Sequence, residues 1–212
     1  MNILSMECSS PQNSIALFKH AELVSEGRWE AGRKTGMILF EELERILSEA
    51  RVKASELNEI IVGKGPGNFS GMRIAMSAAQ GLALPGNIPL TAVSSGEALA
   101  FKNRTAFKNA LVLGDARRDH CWLATFSSEP RFEQTLEWTL CDFEETSRKI
   151  LAADKVYSSE SSRLAACLGL ESAAFIPAFP RAEDLLLLQE YRNERNSAPE
   201  VFEPLYMHPA VS

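Results

Sequence analysis

Four glycines and a proline crowd the segment Gly63-Lys64-Gly65-Pro66-Gly67-Asn68-Phe69-Ser70-Gly71-Met72-Arg73-Ile74. A short apolar run, Glu59 to Gly63, precedes it, and a stretch rich in small residues follows as far as Leu84. Glycine permits positive φ and lets other atoms approach closely, and Pro66 stiffens the turn. The order is therefore strand, tight loop, helix. Such a loop offers backbone N–H groups and a helix N-terminus to an anion. Its spacing fits neither the Walker A loop nor the dinucleotide fingerprint. From the residues alone it reads as either a plain strand-to-helix turn or an anion-cradling loop.

Working outward, three strand-like runs open the chain, at Asn2 to Glu7, Asn13 to Phe18 and Glu22 to Trp29. A helix follows from Met37 to Arg51. Leu39, Leu43, Ile46, Leu47 and Ala50 recur at helical spacing, with Glu41, Glu42, Glu44, Arg45 and Glu49 on the other face. After the glycine loop come a helix from Gly71 to Leu84, a strand from Ile88 to Val93, and a helix opened by Ser94 and Glu97 at capping-box spacing. The second half repeats this order. Strands are expected at Ala110 to Gly114, His120 to Phe126 and Phe132 to Leu140, then a helix from Phe143 to Leu151. A strand (Lys155 to Tyr157), a helix (Arg163 to Leu168), a strand (Ala173 to Ile176) and a helix (Ala182 to Tyr191) complete it.

Both halves read βββαβαβα, a meander followed by parallel crossovers. Two such lobes, 1–106 and a reduced 107–212, make an α/β architecture of the actin-like ATPase (ribonuclease H-like) type; a single mixed α/β domain is the competing arrangement. The tail from Ala198 to Ser212 carries Pro199, Pro204 and Pro209 and is expected to form no long element.

The chain has 212 residues, 45% hydrophobic and 24% charged, with a net charge of −6. A protein that grips a phosphate backbone needs a basic patch. Arg117-Arg118 is followed at once by Asp119, so tight nucleic-acid binding by this chain alone, tRNA included, is not expected. The N-terminus lacks a signal-peptide run, no apolar stretch reaches the roughly 20 residues of a membrane span, and the four cysteines form no CxxC pair. A reduced, cytoplasmic setting is the expectation.

The loop, together with Ala79-Gln80-Gly81-Leu82-Ala83, Val93-Ser94-Ser95-Gly96-Glu97-Ala98-Leu99-Ala100, Gly114-Asp115-Ala116-Arg117 and Pro204-Leu205-Tyr206, resembles the TsaB (YeaZ) family. That family carries Gly-Arg-Gly-Pro-Gly-Ser-Phe-Thr-Gly-Val-Arg-Ile at the loop. The match is dense over the first hundred residues and sparse beyond. The resemblance implies an actin-like fold and a non-catalytic role beside a larger paralogue, TsaD. TsaD transfers a threonylcarbamoyl group to N6 of adenosine 37 in tRNAs that read ANN codons, and the ATPase TsaE completes the assembly. It also implies that Gly65, Pro66, Gly67, Phe69, Gly71 and Arg73 form a structural loop. The helices around Leu39, Phe40, Leu43, Ile46 and Leu47, and around Gly71, Met72, Ala75 and Ala79, are implied as the surface shared by the heterodimer and a competing homodimer.

Where actin-like ATPases place an aspartate and glycines for metal-bound phosphate, this chain has Glu7-Cys8-Ser9. A longer carboxylate without glycine beside it reads as a structural acceptor. His20, His120 and His208 form no helical ligand pair. His120 and Cys121, as strand neighbours, point to opposite faces and cannot share a proton. No catalytic residue, cofactor or metal is expected. A stand-alone ATPase, sugar kinase or peptidase is the alternative, and Arg33-Lys34-Thr35 departs from the family's His-Ser-Glu-like helix start.

Overall fold

One strand order occurs twice in the chain. The computed structural model describes residues 1–198 and 200–207. The first set runs β1 (Asn2–Glu7), β2 (Gln12–Lys19), β3 (Glu22–Glu30), α1 (Thr35–Glu49), β4 (Glu59–Gly63), α2 (Phe69–Ala83), β5 (Leu90–Val93) and α3 (Ser95–Lys102). The second runs β6 (Asn109–Arg117), β7 (His120–Ser127), β8 (Glu133–Asp142), α4 (Phe143–Ala152), β9 (Lys155–Ser158), α5 (Ser161–Leu168), β10 (Ile176–Pro177) and α6 (Ala182–Glu194). The sheets are ordered β3-β2-β1-β4-β5 and β8-β7-β6-β9-β10. In each, the first three strands are an antiparallel meander and the last two add in parallel. This duplicated βββαβαβα topology is the actin-like, ribonuclease H-like fold.

The second set is reduced. Its helices α4 and α5 have 10 and 8 residues, against 15 each in α1 and α2. The strand expected at Ala173 to Ile176 shrinks to two residues. Ser172–Ala174 instead forms a helical turn, with Phe175 N–H donating to the Ser172 carbonyl.

The chain divides into two compact units, but not at residue 106. The first comprises Met1–Ala98 and Pro180–Leu205; the second comprises Leu99–Phe179 and residues 206–207. Helix α6 therefore returns to the first unit, where it packs across β1, β2, β4 and β5. Ser5 Oγ donates to the Ala182 carbonyl (2.6 Å), and Ala182 N–H donates to Ser14 Oγ (2.9 Å). With α1 and α2 on one face and α6 on the other, β1 has no solvated side, and Ile3 to Glu7 are all buried. A strand covered on both faces must pair its buried polar groups, and Ser5 does so through the Ala182 carbonyl.

Leu4, Met6, Ile15, Leu17, Ile60 and Val62 meet Leu39, Leu43 and Ile46 of α1 and Ala75, Met76 and Ala79 of α2 in the first core. Helix α1 begins at Thr35, two residues before Met37, because the buried Thr35 hydroxyl accepts from Gly32 N–H and Asn13 Nδ2. Arg45 of α1 pairs with Glu42 and Glu49 and donates to the Glu26 carbonyl of β3 (2.6 Å). In the second unit, Leu111, Leu113, Cys121, Leu123, Ile150, Val156 and Leu164 fill one face of the sheet. Trp122, Phe126, Phe132 and Trp138 form an aromatic cluster beside it.

Two glycines give opposite expectations. A Cβ on Gly114 would meet the indole of Trp122, whereas one on Gly81, inside α2, would meet open space. Gly114→Ala should lose about 2 kcal/mol through forced repacking, and Gly81→Ala should gain roughly 0.5–1 kcal/mol of helix stability. Urea-unfolding midpoints of the two variants check the pair; equal midpoints would contradict this packing.

Candidate functional site

At the carboxyl end of β1, Glu7 is wholly buried. One carboxylate oxygen accepts from Ser9 N–H (2.6 Å) and the other from Ser95 Oγ (2.6 Å). Burial pushes the Glu7 carboxyl above its ordinary range, and the bonds from Ser9 and Ser95 oppose that rise. Ser95 in turn accepts from Gly65 N–H (3.0 Å), and its own N–H donates to the Gly65 carbonyl (2.9 Å). One carboxylate thus ties the first hairpin, the start of α3 and the glycine loop together.

The loop lies directly on the turn that follows β1. Asn68 N–H donates to the Ser9 carbonyl (2.7 Å). A Cβ on Gly67 or Gly71 would collide with the carbonyl oxygens of Ser9 and Cys8. Gly65 and Gly67 also adopt φ of +91° and +154°, which side-chain-bearing residues avoid. Asn68 then caps α2, its side chain accepting from Gly71 N–H (3.2 Å). The backbone at the first hairpin, where ATPases of this fold admit phosphate, is therefore in contact with the chain's own loop. Gly65, Pro66 and Gly71 are buried; Phe69 and Arg73 are exposed, with the guanidinium 5.2 Å over the ring.

Helices α1 and α2 pack together, and a groove of about 460 Å³ is lined by Gly36 and Phe40 of α1 and by Arg73, Ile74, Ser77, Ala78 and Gly81 of α2. Of the residues expected to form a partner surface, Phe40 is exposed (54%) and lines this groove. Leu39, Leu43, Ile46, Leu47, Gly71, Met72, Ala75 and Ala79 are buried in the chain's own interior. They follow the helical stripes that face the sheet, so these eight residues offer no outer surface. Sequence reasoning missed Gly36, Ile74, Ser77 and Gly81 as its lining. The available signal is the interval of four in Arg73, Ser77 and Gly81, opposite the apolar stripe of Met72, Ala75, Met76, Ala79 and Ala83.

Other chemistry finds little support. Burial pushes the Cys121 and Cys141 thiols up to about 11, and Cys8 well above its usual range, which keeps these thiols protonated. His20 Nδ1 lies 3.3 Å from the N-terminal amine, and His120 Nδ1 lies 2.7 Å from the Arg118 carbonyl; His208 falls outside the described residues. Asp115 near the end of β6 is engaged by Arg117 and Arg163. Among the described residues, no group of three His, Cys, Asp or Glu side chains is placed to hold a metal, and no helix is long and apolar enough to cross a membrane.

The family model described as TsaD, tRNA N6-adenosine threonylcarbamoyltransferase, matches residues 30–160. The tRNA threonylcarbamoyladenosine biosynthesis protein TsaB of Buchnera aphidicola (subsp. Acyrthosiphon pisum) is 33% identical over 111 residues, covering 52% of this chain and 50% of the relative. TsaB of Bacillus subtilis is 29% identical over 126 residues, covering 59% and 55%. The chain thus spans about half the length of these relatives. A crystal structure from Pseudomonas aeruginosa, described as an uncharacterized protein similar to peptidase YEAZ, superposes with a TM-score of 0.77 at 23% identity, covering 98% of this chain and 99% of that one.

Glu7 gives the site a pH signature. Its folded-state pKa lies above the unfolded value, so its contribution to stability is fully present below the unfolded value and is lost as pH rises through the folded one. Glu7→Gln keeps the shape and stays neutral. Relative to this variant, the native chain should lose stability as pH rises above the ordinary carboxylate range. Urea midpoints at several pH values test this, and parallel pH profiles would refute it.

Proposed function

Because the chain belongs to the family described as TsaD, tRNA N6-adenosine threonylcarbamoyltransferase, and resembles its TsaB (YeaZ) members, we propose that it is a non-catalytic partner subunit in formation of threonylcarbamoyladenosine at position 37 of tRNAs reading ANN codons. It works by docking a TsaD-type paralogue, and a TsaE-type ATPase completes the assembly. One observation carries this reading: the groove between α1 and α2, with Phe40 exposed at its side and small residues along its floor. Exposed aromatic anchors beside small residues suit helix-on-helix docking, because small side chains let a second pair of helices approach closely. The groove residues, 36 to 81, lie inside the matched region 30–160. A homodimer through the same face would compete with the paralogue.

Support for a non-catalytic role comes from the two acidic positions near the ends of β1 and β6. The Glu7 carboxylate is occupied by Ser9 and Ser95, and Asp115 by two guanidiniums. The net charge of −6 adds that the chain contributes a protein surface rather than a tRNA grip.

Co-purification with the paralogue, followed by a tRNA threonylcarbamoylation assay with and without this chain, tests the proposal. Phe40→Asp should weaken paralogue binding by about 30-fold or more, a loss of at least ~2 kcal/mol, with the unfolding midpoint unchanged. Ala75→Glu should instead destabilise the chain itself by several kcal/mol, because it buries an unpaired carboxylate under α2. If Phe40→Asp binds the paralogue as the native chain does, the groove is not the docking surface.

A further inference from the structure

The segment that follows α6 turns back onto the base of the glycine loop. Leu205 N–H donates to the Lys64 carbonyl (2.8 Å), and Lys64 N–H donates to the Val93 carbonyl of β5 (2.9 Å). Glu200 pairs with Lys64 Nζ (2.5 Å) and with Arg192 of α6 (2.5 Å). The other guanidinium nitrogen of Arg192 reaches Glu97 of α3. All four side chains are 13–21% exposed, so this alternating chain of charges is poorly reached by solvent and weakly screened. Phe202 packs against the first core. Lys64 is also the residue through which β4 passes into Gly65, the loop and α2.

From this geometry we infer that residues 200–205 form a strap that holds the glycine loop in place and so positions α2 for docking. Two kinds of contact act on one residue. The Leu205 bond fixes the backbone of Lys64, and the Glu200 pair fixes its side chain. Neither touches the residues that line the α1–α2 groove, and the loop connects them to α2. That second step rests on the proposed docking surface. Linkage then makes the effect reciprocal: a partner that favours the seated loop also favours the closed strap.

Hydrogen exchange on the isolated full chain tests the strap without any partner. The probes are the amides of Gly65, Asn68 and Ser95, whose acceptors belong to the loop or its seat. Amides of Ile15 and Leu17 in β2 serve as the reference for the core. Glu200→Gln and Leu205→Pro should each speed exchange at the three loop-associated amides by about tenfold while leaving the two β2 amides within about twofold. A chain ending at Ala198 should show the larger effect. Unchanged loop exchange in all three forms rejects the strap. Equal acceleration of loop and β2 amides rejects it too, since the tail would then support the whole unit. In a binding assay, these variants should weaken paralogue affinity severalfold. If the native chain itself does not bind the paralogue, the docking proposal fails while the exchange result stands.

Discussion

A carboxylate shielded from water needs donors, and Glu7 obtains them from two directions at once. Ser9 follows it in the first hairpin, and Ser95 opens α3 almost ninety residues later. Because Ser95 also bonds both polar groups of the Gly65 backbone, the loop cannot leave its seat without leaving buried groups unpaired. The close approaches at Gly67 and Gly71, the Asn68 cap and the start of α2 all depend on that seat. The direction in which α2 leaves the sheet follows from it, and so does the width of the groove beside α1.

Three backbone N–H groups of the glycine loop are bonded inside the chain: Gly65 to Ser95, Asn68 to Ser9, Gly71 to the Asn68 side chain. The glycines permit contact between two stretches of polypeptide. Asp115 in the second unit is likewise engaged, with its neighbour Arg117 in a left-handed conformation that turns the guanidinium back onto it. Both acidic side chains are thus bonded inside the chain.

Element order is legible in the sequence because both halves separate their apolar runs with polar turns and switch period cleanly from two to 3.6. The strand from Asn2 to Glu7 and the helix around Leu39, Leu43 and Ile46 fall where the pattern puts them. Facing is harder to read. In α2, small residues occur on every side, so composition alone does not tell Ala75 and Ala79, pressed on the sheet, from Ser77 and Gly81, open to solvent. The membership of α6 in the first unit is also invisible, because the apolar residues of Leu185, Leu186 and Leu188 would suit either sheet. The role of Glu200 depends on a fold-back that no local pattern announces.

The Arg45 guanidinium on α1 has a consequence at the margin of the first sheet. Strand β3 is nine residues long and, among the described residues, has no strand on its outer side. A bare margin of that length is a template on which another molecule's strand can grow into a fibre. Arg45 reaches the Glu26 carbonyl near the middle of that strand, and Glu42 closes over Gly27 beside it. One carbonyl of that margin is thereby already taken by a helix of the same chain, which makes the edge a poorer template for an added strand.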